Sequence, residues 1–497
     1  MFGFALVLVP MGVAFFVIWR RLGLRQALLD LLAFNLLFNF DLSALLPNNT
    51  YLLIGDLLLL ALVGYELLRL IELQRYRISL RLLSIIGAAL LFVGWLTVAA
   101  FINKAELWEP FRIVNYIVRG YLLAVLYLFI GVSLTRGEQF KRFITVIALT
   151  SVLASTISIV QTASSGVLLT SDHSDRYLGI FQPLGDKALE RRAGFEQAID
   201  FVANVRTTWI GNVPIYRGYS TFDGAHVILC MVAIASLYLL TSGRGFGRWL
   251  IVPCVLGVLA NVVAINRTAI LTLALFGALI AALNVRTLFS PRLLLRLAGL
   301  GLLATLLAVL LFGSQLQAVV GAQIDGLFGN RAMREVGSLN GRTKIWAFVF
   351  DELERSPLIG SGEPITFRKV GWGTNDNPEV ALSTHNSFIE YAYRGGILPP
   401  LVLMLLFLAT MLRAFALANN QRLTPHDRAI FCALLLALGT MFVLIQTADW
   451  MIVAQVGAVF WILCGYLAGF PTPVALPRLA GVELTPLQGA ARQAAAD

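Results

Sequence analysis

Charge is scarce in this chain. Charged residues make up 13% of its 497 residues and hydrophobic ones 58%. Soluble domains carry roughly 25% charged residues, so a water-facing globular surface is excluded. Cysteine is scarce too. The four, Cys230, Cys254, Cys432 and Cys464, each lie inside an apolar run. They have no metal spacing and are expected to be buried small hydrophobes without disulfides. No Walker loop, dinucleotide fingerprint, zinc spacing or hydrolase elbow occurs. The short alternating segments of a β-barrel are missing as well, and there is no obvious internal repeat.

What is present is apolar runs of about 18 residues or more, long enough to span a bilayer as helices. Such runs fall near 3–19, 27–46, 51–70, 83–103, 114–135, 143–163, 223–241, 249–265, 268–285, 293–313, 388–412, 429–447 and 451–470. The expected fold is therefore all-α, a polytopic transmembrane bundle of about 12–13 spans. Residues 4–19 resemble a signal peptide, but Arg20-Arg21 follow directly and no small-residue cleavage site does.

The net charge of +10 has a topological explanation. Arg20, Arg21 and Arg25, then Arg75, Arg77 and Arg81, then Arg136, Lys141 and Arg142 sit in short loops. So do Arg244 and Arg248, Arg286 and Arg292, and Arg413, Arg422 and Arg428. All fall on one side if the spans alternate, and that side is the cytoplasm. Membrane lipid or an anionic lipid-linked substrate accounts for the remaining basic charge, so nucleic acid is not expected as a partner. The chain then divides into N-terminal spans (1–163), an outer loop (164–222), central spans (223–313), a large outer loop (314–384), C-terminal spans (385–470) and a cytoplasmic, disordered tail (471–497). Within the large loop Ile345, Phe348, Val349, Glu352 and Leu353 recur at three and four. That spacing predicts an amphipathic helix, lying on the membrane or capping a cavity, and ended by Ser356-Pro357.

Polar side chains gather where the outer loops meet spans. His385 and Asn386 open one, with Glu390 and Arg394 behind them. Imidazole is the side chain best suited to proton transfer near neutral pH; a solvated loop histidine is the alternative. A spacing of four puts Glu390 and Arg394 on one helix face, as a structural ion pair or as part of a site. Arg267 sits in a tight outer turn at a helix start, either a snorkelling arginine or a phosphate ligand. Arg217, in Tyr216-Arg217-Gly218, leads into the 223–241 span, and Arg342 precedes the amphipathic helix. Arg112 and Arg119 share a face at the start of the 114–135 span. An arginine at that depth is a weaker site candidate.

Taken in order, these landmarks resemble the O-antigen ligase/Wzy polymerase superfamily of bacterial envelope glycosyltransferases, of the GT-C type. They are Arg217-Gly218 with Phe222, then Asn266-Arg267-Thr268. Next come Arg342, Trp346 and Pro357-Leu358-Ile359-Gly360-Ser361-Gly362, and finally His385-Asn386 with Gly396. Asn266 stands where the family has a serine and Pro399 where it has a last glycine. Asp223-Gly224-Ala225 follows Phe222 where Pro-Asn is usual.

The resemblance implies a multi-pass enzyme of the bacterial inner membrane with its active site facing the periplasm, needing no cofactor and no metal. The donor would be an undecaprenyl-diphosphate-linked glycan and the acceptor a glycan or lipid A-core. Other polysaccharide assembly and export proteins would be its partners. Arg217 and Arg267 would bind the diphosphate and His385 would act as base. Arg342, Asn386, Glu390, Arg394 and Arg119 would contact substrate. A polymerase of O-antigen or exopolysaccharide repeat units is preferred over a ligase, because the chain is long and both outer loops are sizeable. A flippase of lipid-linked oligosaccharide is a rival, but transporters place charges on broken helices at the midplane, not at the outer lip.

The orientation is open to direct test. Cysteine introduced at Ser174 or Ser338 is expected to react with an impermeant thiol reagent in spheroplasts. Protection of either position would reverse the topology.

Overall fold

The computed structural model describes residues 2–38, 54–73, 79–103, 121–135, 139–163, 205–210, 213–218, 220–222, 224–243, 247–284, 339–362, 365–366, 381–382 and 384–471. Helices dominate. The N-terminal part holds α1 (Phe2–Leu22), α2 (Leu24–Asn35), α3 (Ile54–Leu73), α4 (Leu80–Asn103), α5 (Leu123–Ser133) and α6 (Gln139–Ala163). The hairpin β1 (Val205–Ile210) and β2 (Val213–Gly218) follows, then α7 (Ala225–Thr241), α8 (Ile251–Val263) and α9 (Arg267–Leu283). The C-terminal part holds α10 (Leu339–Arg355), a short bridge of β3 (Ile365–Thr366) with β4 (Ala381–Leu382), α11 (Ser387–Gly395), α12 (Leu398–Ala418), α13 (Pro425–Leu444) and α14 (Ala454–Gly469).

The protein is a polytopic helical membrane protein. Among the described residues α4, α6, α12 and α13 are each long and apolar enough to cross a membrane. The other expected spans that fall on described residues coincide with helices, and the one near 293–313 lies outside them. Two features differ from expectation. The apolar run 388–412 is not one helix but two, α11 and α12, broken at Gly396, which has φ +75°. A left-handed residue ends a helix, and glycine adopts that conformation without a Cβ clash. The first outer loop also contributes the antiparallel β1–β2 hairpin, which its reading as plain loop did not foresee.

A membrane bundle shows its solvent on its surface. On α12, Leu401, Leu405, Leu408, Leu412 and Phe415 are exposed, whereas Val402, Leu403, Leu406, Phe407 and Thr410 are buried. Both faces are apolar because one meets lipid and the other meets protein. Apolar burial then gives little drive to association, since lipid tails are as apolar as leucine; tight packing and polar contacts supply it instead. The α5–α14 crossing shows the packing. A Cβ on Gly131 would lie 2.1 Å from the carbonyl oxygen of Ile462, and one on Gly465 would lie 2.0 Å from that of Leu128. The two backbones touch through reciprocal glycines. Beside them the rings of Phe140 and Tyr466 stack at 3.4 Å between centroids. At α7–α8, Gly257 plays the same part against Ala233 and the Leu229 carbonyl.

Polar contacts tie the first helices on. Arg25 of α2 pairs with Glu66 of α3 and donates through Nη2 to the Ser133 carbonyl at 3.1 Å. Asp30 accepts from Nε of Arg142 on α6 at 3.0 Å. All but Arg142 are buried, so each charge is matched where an unmatched one would be costly. These residues are why α2 looked diluted as a span.

Leucine is a better helix former than glycine, yet Gly465→Leu is expected to abolish the folded protein, because the α5 backbone leaves no room. Gly94→Leu on α4, where nothing lies within 4 Å of the glycine's Cβ position, is expected to be neutral. Fluorescence-detected size exclusion in detergent compares them. A monodisperse Gly465→Leu peak of normal height would refute the close-packed crossing.

Candidate functional site

The segment that carries His385 is held from three directions. Asn386 caps α11: its Oδ1 accepts from the amides of Phe388 at 2.9 Å and Ile389 at 3.2 Å. Asparagine is a preferred N-cap for this reason. Just before it, fully buried Thr384 donates through Oγ1 to the Asn386 carbonyl at 2.8 Å. The Thr384 carbonyl in turn accepts from the indole of Trp346 on α10 at 2.8 Å. His385 lies between these two anchored residues, half-buried, with φ +55°. A left-handed non-glycine residue costs of order 1–3 kcal/mol and persists where its surroundings over-determine it. Here they do.

The second hold comes from the turn between α13 and α14. Nδ2 of Asn386 donates to Oε1 of Gln446 at 3.1 Å. The Ser387 amide donates to the Ile445 carbonyl at 2.9 Å, and its hydroxyl donates to the Ala448 carbonyl at 3.1 Å. Asp449 follows in the same turn, close enough to Glu390 for their charges to repel. Gln446 and Asp449 are the site residues that the sequence reading missed. The available signal was faint: Gln446-Thr447-Ala448-Asp449 is a polar break between two apolar spans.

The third hold is an interlock of the two glycine motifs. Where α11 ends, its last carbonyls need partners. The loop after α10 supplies them: the Ser361 amide donates to the Tyr393 carbonyl at 2.7 Å and the Gly362 amide to that of Arg394 at 3.1 Å. In return the Ile397 amide donates to the Pro357 carbonyl at 2.9 Å. A Cβ on Gly360 would lie 2.5 Å from the Tyr393 oxygen, and one on Gly396 would lie 2.3 Å from the Leu358 backbone. On α4, Trp95 donates to the carbonyls of Leu358 and Gly395, both at 2.9 Å, and Asn103 donates to that of Gly360 at 3.1 Å. The amphipathic helix expected in the large loop is α10. It caps α11, packing Ile345 and Val349 against Tyr393 and Ile365.

Inside this frame Glu390 and Arg394 pair with each other, Nε to Oε1 at 2.7 Å, with 1% and 10% of their side chains exposed. Arg342 is half-buried on α10, and its Nε is buried without a hydrogen-bond partner among the described residues. Burial pushes its guanidinium below its ordinary value.

The arginines stand on separate elements. Arg267 is the first residue of α9 and is exposed. Asn266 caps that helix, accepting from the Ala269 amide at 3.1 Å. The turn before it is tight, with Ile265 at φ +49°. Arg217 stands on β2, opposite Arg206. The chain beyond it is pinned in the bundle: Ser220 and the Gln161 side chain exchange two hydrogen bonds, at 2.9 and 3.0 Å, and the Thr221 hydroxyl donates to the Leu37 carbonyl. Arg119 and Arg112 lie outside the described residues. Among those described, no group of three His, Cys, Asp or Glu is placed to hold a metal ion.

Residues 252–408 match a family model described as O-Antigen ligase. This domain supports membership of the O-antigen ligase/Wzy family. The O-antigen ligase domain runs from α8 into α12, so it contains Arg267, Arg342, the glycine interlock and His385-Asn386. Arg217 and its hairpin lie before it. No curated protein matches the chain.

Removing one member of a buried pair strands the other charge and costs roughly 3–5 kcal/mol. Arg394→Ala is therefore expected to lower thermal stability sharply, and the double variant Glu390→Gln/Arg394→Met to recover most of it. Melting and glycan transfer are measured on both. Recovered stability with recovered transfer makes the pair structural. Recovered stability without transfer means that substrate uses it.

Proposed function

We propose that this protein joins an undecaprenyl-diphosphate-linked glycan to an acceptor hydroxyl at the periplasmic face of the inner membrane, polymerising O-antigen or exopolysaccharide repeat units. The carrying observation is that the O-antigen ligase domain spans the segment whose glycine interlock and helix cap position His385. A coarser function, glycan transfer by a membrane enzyme of the ligase/polymerase kind, comes with the family. The second reading, transfer of finished glycan to lipid A-core, is favoured by the description of that family model. The deletion strain separates the two: surface lipid bearing a single repeat unit indicates a polymerase, and lipid-linked polymer accumulating without surface glycan indicates a ligase.

The chemistry needs two things of the protein. The leaving diphosphate develops charge, and cations stabilise it. Arg267 and Arg217 serve here, because a guanidinium stays charged and matches phosphate oxygens with a fork of donors. The acceptor hydroxyl must lose a proton, and His385 takes it. Its turn is fixed by Thr384, Asn386 and Gln446, so the imidazole carrier does not have to be ordered at each turnover. Arg342 offers the glycan or the phosphates an Nε that has no partner among the described residues. Glycosidic transfer from a diphosphate requires no nucleotide sugar in this scheme.

Arg267→Ala is expected to lose transfer by about two to three decades, the equivalent of roughly 2–4 kcal/mol in the transition state, with expression unchanged. Lysine there is expected to rescue poorly. His385→Gln is expected to be severely impaired while still binding donor, and wild-type transfer to fall as the imidazole protonates on acidification. These are read from pH–rate profiles of purified protein on lipid-linked donor. A glutamine variant that keeps most of the rate and the same acidic limb would leave His385 only a positioning role.

A further inference from the structure

Ser387 fixes a turn as well as a cap. Its hydroxyl donates to the Ala448 carbonyl at 3.1 Å and accepts from the Met451 amide at 3.3 Å. Asp449 and Trp450 are therefore the tip of a turn pinned on both sides to one fully buried side chain. That side chain belongs to the second residue after His385. The turn's other flank is the start of α7. A Cβ on Gly224 would lie 3.2 Å from the Val453 side chain and 3.0 Å from that of Val456. The ring of buried His226 meets the Trp450 indole in a T-shaped contact, 4.7 Å between centroids and 82° between planes. The tip thus sits between the His385 cap and α7, fixed against both.

Trp450 differs from the other tryptophans among the described residues. Trp95 and Trp346 donate their indole N–H to backbone carbonyls. Trp461 is buried in the core, and Trp19 and Trp249 are exposed, as tryptophans at a membrane interface are. Trp450 is half-buried, and its indole N–H has no hydrogen-bond partner among the described residues. A buried indole N–H usually finds one. Here a flat apolar ring and a donor at its edge stand together, next to the half-buried carboxylate of Asp449. Ligand sites combine apolar surface with a few fixed polar groups in this way. The negative face of the ring does not suit a phosphate. A sugar ring has the matching chemistry: its C–H groups make an apolar face, and its rim carries hydroxyls that both donate and accept.

We infer that Trp450 is a stacking platform for a sugar ring of the acceptor glycan, with Asp449 accepting a hydrogen bond from one of its hydroxyls. The sugar then lies close to His385, the base that the proposed function assigns to the acceptor hydroxyl. The inference rests on that reading and adds a binding residue outside the O-antigen ligase domain, whose match ends at residue 408. The same turn holds Asn386 through Gln446, so the seat of the acceptor and the setting of the base share one support. No sequence motif singles out Trp450. It is followed by Met451, Ile452 and Val453, so hydropathy reads it as the start of a span.

The test uses purified full-length protein in detergent, with the lipid-linked repeat unit extracted from the source cells as donor. Repeat-unit oligosaccharide freed from its lipid and core oligosaccharide freed from lipid A are offered separately as acceptors, and the one that wild type extends is titrated. Trp450→Leu is expected to raise the KM for acceptor about tenfold, with kcat, the KM for donor and the acidic limb of the pH–rate profile little changed. Trp450→Phe keeps a smaller ring without the N–H and is expected to raise the acceptor KM about threefold. It also keeps an aromatic contact with His226, so it carries the test if the leucine variant does not fold. An acceptor KM unchanged in every variant that folds overturns the platform. So does a loss confined to kcat or a shifted acidic limb, because the turn would then act only through His385. A KM change confined to the donor overturns the acceptor assignment and puts the donor's sugar on the ring. If wild type extends neither acceptor, the transferase reading itself fails, and the platform with it.

Discussion

The docking of the Pro357–Gly362 loop onto the C-terminal carbonyls of α11 is the constraint on which the site depends. Those carbonyls have no partners within their own helix, and at the membrane edge water cannot be relied on to supply them. The loop supplies amides to Tyr393 and Arg394, and the chain after α11 returns one to Pro357. The backbones must come within hydrogen-bond distance across a broad front, which only glycine allows at Gly360 and Gly396. Two glycine motifs far apart in sequence are thus the two halves of one contact. Lose either, and α10 loses its backbone tie to α11, and the segment that carries His385 loses one of its three holds.

Much of the architecture was legible because bilayer thickness writes itself into the length of apolar runs. The spans near 83–103, 143–163 and 429–447 reappear as α4, α6 and α13 within a few residues. Helix α10 was legible from Ile345, Val349 and their neighbours recurring at three and four. The break between α11 and α12 was not, because hydropathy runs straight through Gly395 and Gly396 while the backbone turns. The hairpin carried a signal that went unused: Gly211-Asn212 between two runs rich in Val, Ile, Thr, Trp and Tyr is a hairpin pattern. Within the site, His385 and the arginines stood out because charge in an apolar chain is conspicuous. Gln446 could not stand out. Its partner Asn386 is 60 residues away, and nothing local distinguishes a short polar turn that braces a site from one that merely faces water.

The site also divides its labour by element. The proposed base sits on a cap held from three directions, whereas the arginines proposed for the diphosphate come from a helix start and a strand. Such a division suits transfer from a charged leaving group. Cations that hold a diphosphate need reach and a spread of charge, while a proton acceptor needs one fixed position. Pairing Glu390 with Arg394 serves the same end, since that carboxylate is occupied locally and is kept from competing for the guanidinium groups that would meet phosphate.

The departures from the family's pattern make physical sense in this frame. Asn266 replaces a serine, and it caps α9 through the Ala269 amide, a task that serine and asparagine perform about equally. Arg267 therefore keeps its place at the head of a helix. Pro399 replaces a glycine, but it lies in the first turn of α12, where a missing amide hydrogen costs nothing and the fixed φ suits the helix. It also packs against Gly395, where a Cβ would come within 2.8 Å of the proline ring. Both substitutions preserve the local backbone, so neither one distinguishes a polymerase from a ligase. On the proposed function, that distinction would lie in what the acceptor touches. The proposed chemistry at a diphosphate would then stay fixed while the choice of acceptor changed around it.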